Sequence, residues 1–131
     1  MMSKARNILL GLPLGFAALA SAALAHHSSS MYDRTKPVTL EAKVVEFQWV
    51  NPHAQLAVVE TQAPKGAEPK TWSVELTSPG VLTRNGWTKR TFNPGDRVTL
   101  KFAPLRNGEP GGYFLEARLA DGKVMTYTLE Q

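Results

Sequence analysis

The chain has 131 residues, with 15 Lys and Arg against 11 Asp and Glu, a formal net charge of +4 and no cysteine. The absence of cysteine excludes disulfides, thiolate nucleophiles, zinc ribbons and iron–sulfur ligation. The near balance of charges argues against a nucleic-acid-binding protein, which would carry a pronounced basic excess.

The first 25 residues are predicted to be a signal peptide that is removed on export. Lys4 and Arg6 precede an apolar run over 8–20, and Ala23-Leu24-Ala25 forms an A-x-A cleavage site. This run is about a dozen residues long, whereas a membrane-spanning helix needs roughly 20. We therefore expect a periplasmic or secreted protein that begins at His26 and keeps no membrane anchor.

The mature chain is predicted to form one domain behind a short arm. Without Lys4 and Arg6 it carries 13 basic and 11 acidic residues, a net charge of +2. Its length, about 106 residues, suits a single modest core. Residues 26–36 are polar and show neither helical nor strand periodicity, so we predict an extended arm that ends at Pro37.

Three strands are predicted in the first half of the domain. In the first strand the apolar residues alternate and then change parity, which is typical of a long strand with a bulge or sharp bend. The turn at Asn51-Pro52 separates it from the second strand, and the loop 63–69 precedes the third. The alternating residues are Val38, Leu40, Ala42 and Val44 and then Val45, Phe47 and Trp49; Leu56 and Val58; and Trp72, Val74 and Leu76.

A short helix and further strands are predicted in the second half. Ser78 as N-cap with Pro79 in the first position indicates a helix of about two turns, which Asn85-Gly86 ends. After the turn 93–96 two strands follow, and Asp121-Gly122 is a hairpin signal before a last strand. In the helix, Val81 and Leu82 are expected to face inward. Alternating apolar residues define the fourth strand (Val98, Leu100 and Phe102) and the fifth (Tyr113, Leu115, Ala117 and Leu119), and residues 124–129 form the last strand.

This order of elements predicts an all-β fold, a small OB-like barrel of five to six strands over residues 37–131 with one short helix between strands three and four. A β-sandwich is the alternative, because alternation alone does not distinguish the two folds. The inserted helix favours the barrel. We expect the large aromatic residues Trp49, Trp72 and Trp87 to belong to the core rather than to a ligand-stacking surface.

The three histidines of the chain, His26, His27 and His53, are the candidate metal ligands. The free α-amine and the ring of an N-terminal histidine can chelate one metal ion together, and such nitrogen donors suit Cu(II). His53 could add an imidazole from the barrel, with Glu75 or Asp33 as an oxygen ligand or as a partner that orients a ring. The alternative interpretation is a solvated mature start and a turn histidine that satisfies local hydrogen bonds.

No catalytic constellation is visible in the sequence. The serines 28–30 beside His27 lack a base that a third group orients on a fixed scaffold. Paired-carboxylate, phosphate-loop and nucleotide-binding motifs are also absent. For a copper redox enzyme the sequence offers only one component, the chelating terminus at His26, and no dedicated substrate surface is visible. We therefore expect a protein that is not an enzyme.

Several motifs together resemble a family of small exported bacterial proteins that is catalogued as a domain of unknown function. They span nearly the whole mature chain, and their order and spacing carry the resemblance. The resemblance implies no established activity. The motifs are His26-His27-Ser28, Phe47-Gln48-Trp49, Asn51-Pro52-His53, Trp72 to Glu75, Ser78-Pro79, Arg84-Asn85-Gly86-Trp87, Pro94-Gly95-Asp96, Pro104-Leu105-Arg106-Asn107-Gly108 and Pro110-Gly111-Gly112.

The sequence thus leads to two hypotheses about function. The first is a binding module of the cell envelope that holds a metal, copper above others, through His26, His27 and His53. The second is a metal-free interaction module that uses the barrel face and the loop 107–112, with Arg106 as an anion-binding candidate. The expected partner is an unknown envelope protein or a small ligand, and nucleic acid is not expected.

Overall fold

A single six-stranded sheet organises residues 29–129, which are the residues that the computed structural model describes. The strand order is β3-β2-β1-β4-β5-β6, and β3 also pairs with β5, so the first five strands close into a barrel and β6 extends it. This confirms the predicted OB-like barrel and rules out the sandwich. The elements are β1 (Val38–Gln48), β2 (Gln55–Glu60), β3 (Thr71–Glu75), α1 (Pro79–Arg84), β4 (Arg97–Pro104), β5 (Gly111–Leu119) and β6 (Val124–Met125), preceded by a 3-10 helix (Ser29–Met31).

A bulge allows β1 to pair with a strand on each side. The first half of β1 pairs with β4 and the second half with β2, and the register against β2 shifts between Val44 and Glu46. The residue between them, Val45, is 47% exposed, whereas Val44 is buried. The change of parity in the sequence therefore predicted this bulge correctly.

Two glycines at the start of β5 allow the barrel to close. β5 pairs in parallel with β3, with Gly111 opposite Ser73 and Gly112 opposite Val74. A Cβ atom at Gly112 would lie 2.4 Å from the carbonyl oxygen of Ala103, and one at Gly111 would lie 3.0 Å from that of Ser73. Only glycine lets this strand approach both of its neighbours so closely.

The helix α1 forms where the capping pattern predicted it. The Ser78 hydroxyl accepts a hydrogen bond from the Val81 N–H at 3.4 Å, and the Asn85 N–H donates to the carbonyl of Leu82 at 3.0 Å. Leu82 is fully buried in the core, as expected, whereas Val81 is only half-buried. Within residues 29–129, no helix is long and apolar enough to cross a membrane.

Aromatic rings stack edge to face around Trp87 in the core. The Trp87 ring lies 5.7 Å from Phe92, 5.4 Å from Phe114 and 5.8 Å from Tyr127, and its Nε1–H donates to a backbone carbonyl, that of Thr126, at 3.0 Å. Such contacts orient large rings that already bury much apolar area. Trp87 is 2% exposed, and the other two tryptophans, Trp49 and Trp72, are partly buried against the same core.

The end of the chain departs from the predicted pattern in two ways. In β5 the buried residues are Phe114 and Ala117, because the register against β4 shifts at Phe102 and turns Tyr113 and Leu115 away from the centre. β6 covers only residues 124–125 of the predicted 124–129. The chain leaves the sheet there because the Asn85 side chain binds both backbone groups of Thr128, at 3.0 and 3.2 Å.

The closure by glycine gives a direct test of the fold. We expect Gly112→Ala to lower the free energy of unfolding by roughly 1–3 kcal/mol or more, because the added methyl group overpacks the β4–β5 contact. Gly80→Ala is the matched control, since its Cβ would meet only ordinary contacts, at 3.8 and 3.9 Å, at the start of α1. Chemical denaturation measures both variants, and equal stabilities would contradict the role given to Gly112.

Candidate functional site

Side chains from three separate parts of the chain meet beside the start of β2 and the end of β3. His53 lies in the turn before β2, Glu75 is the last residue of β3, and Tyr32 belongs to the arm. The Nδ1 atom of His53 lies 3.4 Å from Glu75 Oε1, and the Tyr32 hydroxyl donates to Glu75 Oε2 at 3.0 Å. One carboxylate thus contacts both the barrel histidine and the arm.

The backbone around His53 holds its ring in place. The neighbouring residue Ala54 exchanges hydrogen bonds with the segment after β3: its N–H donates to the Thr77 carbonyl at 3.1 Å, and its carbonyl accepts from the Leu76 N–H at 2.9 Å. His53 follows Asn51-Pro52, whose peptide bond is cis. The two hydrogen bonds of Ala54 attach this turn to the barrel.

The contacts of His53 determine which ring nitrogen is available. Nδ1 lies 3.1 Å from the carbonyl oxygen of Leu76, which can only accept a hydrogen bond, so Nδ1 carries the proton. In the neutral ring the lone pair is then on Nε2. The side chain is 39% exposed, and none of residues 29–129 gives Nε2 a hydrogen-bond partner. A histidine with Nδ1–H bonded to a carbonyl has the tautomer that most metal-binding histidines use.

Tyr32 ties the arm to this site. Its ring is 6% exposed and packs against Tyr113, with ring centres 5.5 Å apart. Burial of the phenol, reinforced by the negative charge of Glu75, raises the pKa of Tyr32 to about 12. The guanidinium of Arg34 lies 4.8 Å above the other ring, that of Tyr113. The arm therefore contributes a buried side chain to the barrel.

Backbone hydrogen bonds fix the same part of the arm to the loop after β4. Tyr32 bridges to Leu105, the Asp33 N–H donates to the Pro104 carbonyl at 2.8 Å, and the Arg106 N–H donates to the Met31 carbonyl at 2.9 Å. The arm was predicted to be extended throughout, but residues 29–31 form a 3-10 turn. These contacts dock the arm like a short additional strand.

Arg106 and Asp33 have structural contacts that the sequence did not indicate. The Arg106 Nε–H donates to the Ser30 carbonyl at 3.0 Å, and Nη2 lies 3.7 Å from Asp33 Oδ1. The Thr35 hydroxyl donates to the same carboxylate at 2.6 Å and holds the pKa of Asp33 below its usual range. Arg106, considered as an anion-binding residue, therefore binds the arm, and Asp33 is engaged away from His53.

A cavity of about 430 Å³ lies between the arm and the barrel, and we call it the arm groove. It follows the β2–β3 face and the β4–β5 loop, the region through which OB-like barrels bind ligands. Its size is that of an ordinary ligand site. The lining residues are Met31 and Tyr32 from the arm, Gln55, Ser73 and Glu75 from β2 and β3, and Leu105, Glu109, Pro110, Gly111 and Gly112 from the loop and β5.

The structure brings together only part of the predicted metal site. Glu75, one of the two proposed partners, lies beside His53, whereas His26 and His27 lie outside the described residues. Residues 29–129 contain no group of three His, Asp or Glu side chains that could hold a metal ion. Sequence reasoning missed Tyr32, and the only signal for it was a large aromatic residue within a polar segment.

A family model described as a family of unknown function (DUF6152) matches residues 15–129. This range contains almost the whole barrel, the arm and the site. The comparisons with curated proteins and with solved structures give no match. The activity must therefore be argued from the residues themselves.

The Tyr32–Glu75 hydrogen bond predicts a specific dependence of stability on pH. Because the pKa of Tyr32 is raised from 10.0 to about 12 in the folded protein, the phenol ionises first in the unfolded chain, and the free energy of unfolding falls as the pH rises from 10 towards 12. Tyr32→Phe removes this part of the alkaline loss. At neutral pH we expect it to cost about 1.5–3 kcal/mol, as for a hydrogen bond to a charged group.

Tyr127→Phe is the matched control at neutral pH. The Tyr127 hydroxyl is buried beside Tyr113 and the Thr77 backbone, so it faces neutral groups, whereas the Tyr32 hydroxyl donates to a carboxylate. Its removal should therefore cost less than that of Tyr32. Urea denaturation at neutral and alkaline pH measures both variants. A Tyr32→Phe protein with wild-type stability throughout would contradict the role of this hydrogen bond.

Proposed function

Because the chain belongs to DUF6152, a family of unknown function, we propose its role from the site itself: an exported protein of the cell envelope that binds copper through His26, His27 and His53. The observation that carries the proposal is the fixed orientation of His53. Nδ1 contacts the Leu76 carbonyl, so Nε2 of this partly exposed side chain remains for a metal ion. Glu75 Oε1, 3.4 Å from Nδ1, supports this orientation.

The docked arm supports the participation of the N-terminal histidines. Arg106 binds the carbonyl of Ser30, and His26 is only four positions before Ser30 in the sequence. Four residues span at most about 14 Å. Since Tyr32 contacts Glu75, and Glu75 contacts His53, the covalent chain keeps His26 and His27 within reach of the barrel ring.

The proposed donor set favours copper over other divalent ions. A free N-terminal amine, the ring of His26 and one or two further imidazoles are nitrogen donors, for which Cu(II) has the highest affinity of the first-row divalent metals. Binding requires deprotonated donors, so affinity should fall on acidification. The proposed role is binding of the metal.

Copper titration of protein that starts at His26 tests the proposal. Mass spectrometry first establishes that start, and calorimetry then measures Cu(II) binding, which we expect at about one equivalent. Because a partner that only orients a ligand contributes about 10- to 100-fold to metal affinity, loss of the ligand ring in His53→Ala should weaken binding by at least about tenfold. One alanine added before His26 should weaken it further, since the amine then no longer chelates with the first ring.

Gln55→Ala is the control, because Gln55 lies close by in β2 and has no ligand role in the proposed site. It should bind copper like the wild type. If neither the added alanine nor His53→Ala changes the affinity or the stoichiometry, the three-histidine site does not exist.

The arm groove favours a second candidate, a metal-free module that binds an envelope protein or a small ligand. Its lining includes residues 109–112, as expected for binding through this loop. Such a module should keep its partner in His53→Ala and lose it in Glu109→Lys. An envelope pull-down measures both variants. A partner that is lost in His53→Ala and kept in Glu109→Lys would favour the metal site.

A further inference from the structure

We propose that residues 26–28 of the processed chain occupy the arm groove, with their positively charged end facing the carboxylates of Glu75 and Glu109. The inference deepens the proposed function and rests on it in one respect, the start of the mature chain at His26. It assigns an occupant to the groove that is part of the protein itself.

The point at which the described chain begins supports this occupant. Residues 29–31 form a turn at the edge of the groove, and Met31 and Tyr32 form one of its walls. The three residues before this turn can span at most about 11 Å. A segment tethered so closely has a very high effective concentration at the groove, so even weak contacts keep it bound.

The charges of the groove match this segment. Two carboxylates, those of Glu75 and Glu109, line the groove, and no Lys or Arg is among its lining residues. The processed segment would carry an α-amine and two imidazoles and has no acidic residue. Negatively charged ligands such as phosphates or nucleic acid would be repelled by these two carboxylates.

The groove is also continuous with contacts that the arm already makes. The Tyr32–Leu105 bridge and the Arg106–Ser30 hydrogen bond lie directly before the proposed segment. Residues 26–28 would therefore extend an existing interface rather than create a separate one. The docked segment would bring the His26 amine towards His53 before any metal binds.

Paramagnetic relaxation enhancement in metal-free protein tests the docking. The chain has no cysteine, so Thr71→Cys takes a single nitroxide; Thr71 is exposed, lies on the same face of β3 as Ser73 and does not line the groove. We expect loss of most of the signal intensity for the amides of His27 and Ser28 and for both N-terminal imidazoles. Ala120→Cys is the matched control: it is an exposed position after β5, at the far end of the strand from Gly111, and should leave these signals unchanged.

Two further samples identify the occupant. In a mixture of nitroxide-labelled chain and isotope-labelled chain without nitroxide, intensity loss would mean that a second copy fills the groove, which would overturn the proposal. Glu109→Lys should restore much of the lost intensity, because it places a positive charge against the segment. Signals unaffected by the Thr71 nitroxide, in a protein with a wild-type spectrum otherwise, would also overturn the proposal.

The same preparations separate this inference from the copper proposal. Docking without any copper uptake would overturn the proposed function and leave the inference standing. Stoichiometric copper uptake without docking would overturn the inference alone, since the metal would then gather a segment that does not dock beforehand.

Discussion

The parallel pairing of β3 with β5 is the constraint on which the rest of the structure depends. This pairing closes the barrel. It is possible because Gly111 and Gly112 have no side chain, which lets β5 lie close to the backbone of β3 and β4. The same pairing places Glu75, the last residue of β3, opposite Tyr113. The carboxylate thereby reaches the position in which it accepts from Tyr32. The architecture of the barrel and the candidate site are consequences of one backbone contact.

Glu75 links Tyr32 of the arm and His53 of the turn before β2, each more than 20 residues away from it in the sequence. Tyr32 donates to one carboxylate oxygen and His53 lies against the other, so a single side chain contacts both the ring and the arm. A largely buried carboxylate needs such partners, because an ionised group without them would be costly to bury. The contacts that stabilise the charge are therefore the same contacts that assemble the site.

The features that could be predicted from sequence are those that depend on short stretches of neighbouring residues. The parity change after Val44, the Ser78-Pro79 cap and the Asp121-Gly122 turn each have a short-range physical cause, and each predicted its element. Strict alternation along β5 places Tyr113 on the same face as Ala117. The register shift between β4 and β5 changes this, and it cannot be detected in the sequence of β5 alone. The docking of Tyr32 was missed for the same reason, since its partners Glu75 and Leu105 are distant in sequence. His53 and Glu75 were both singled out from chemistry.

The stability of the barrel and the docking of the arm are thermodynamically linked. Tyr32 fills part of the buried interior, so the folded barrel and the docked arm favour each other in equal measure. A molecule that binds only the docked arm must also stabilise the barrel against unfolding, in proportion to its concentration. Conversely, local loosening of the Tyr32–Leu105 bridge would release such a molecule without global unfolding.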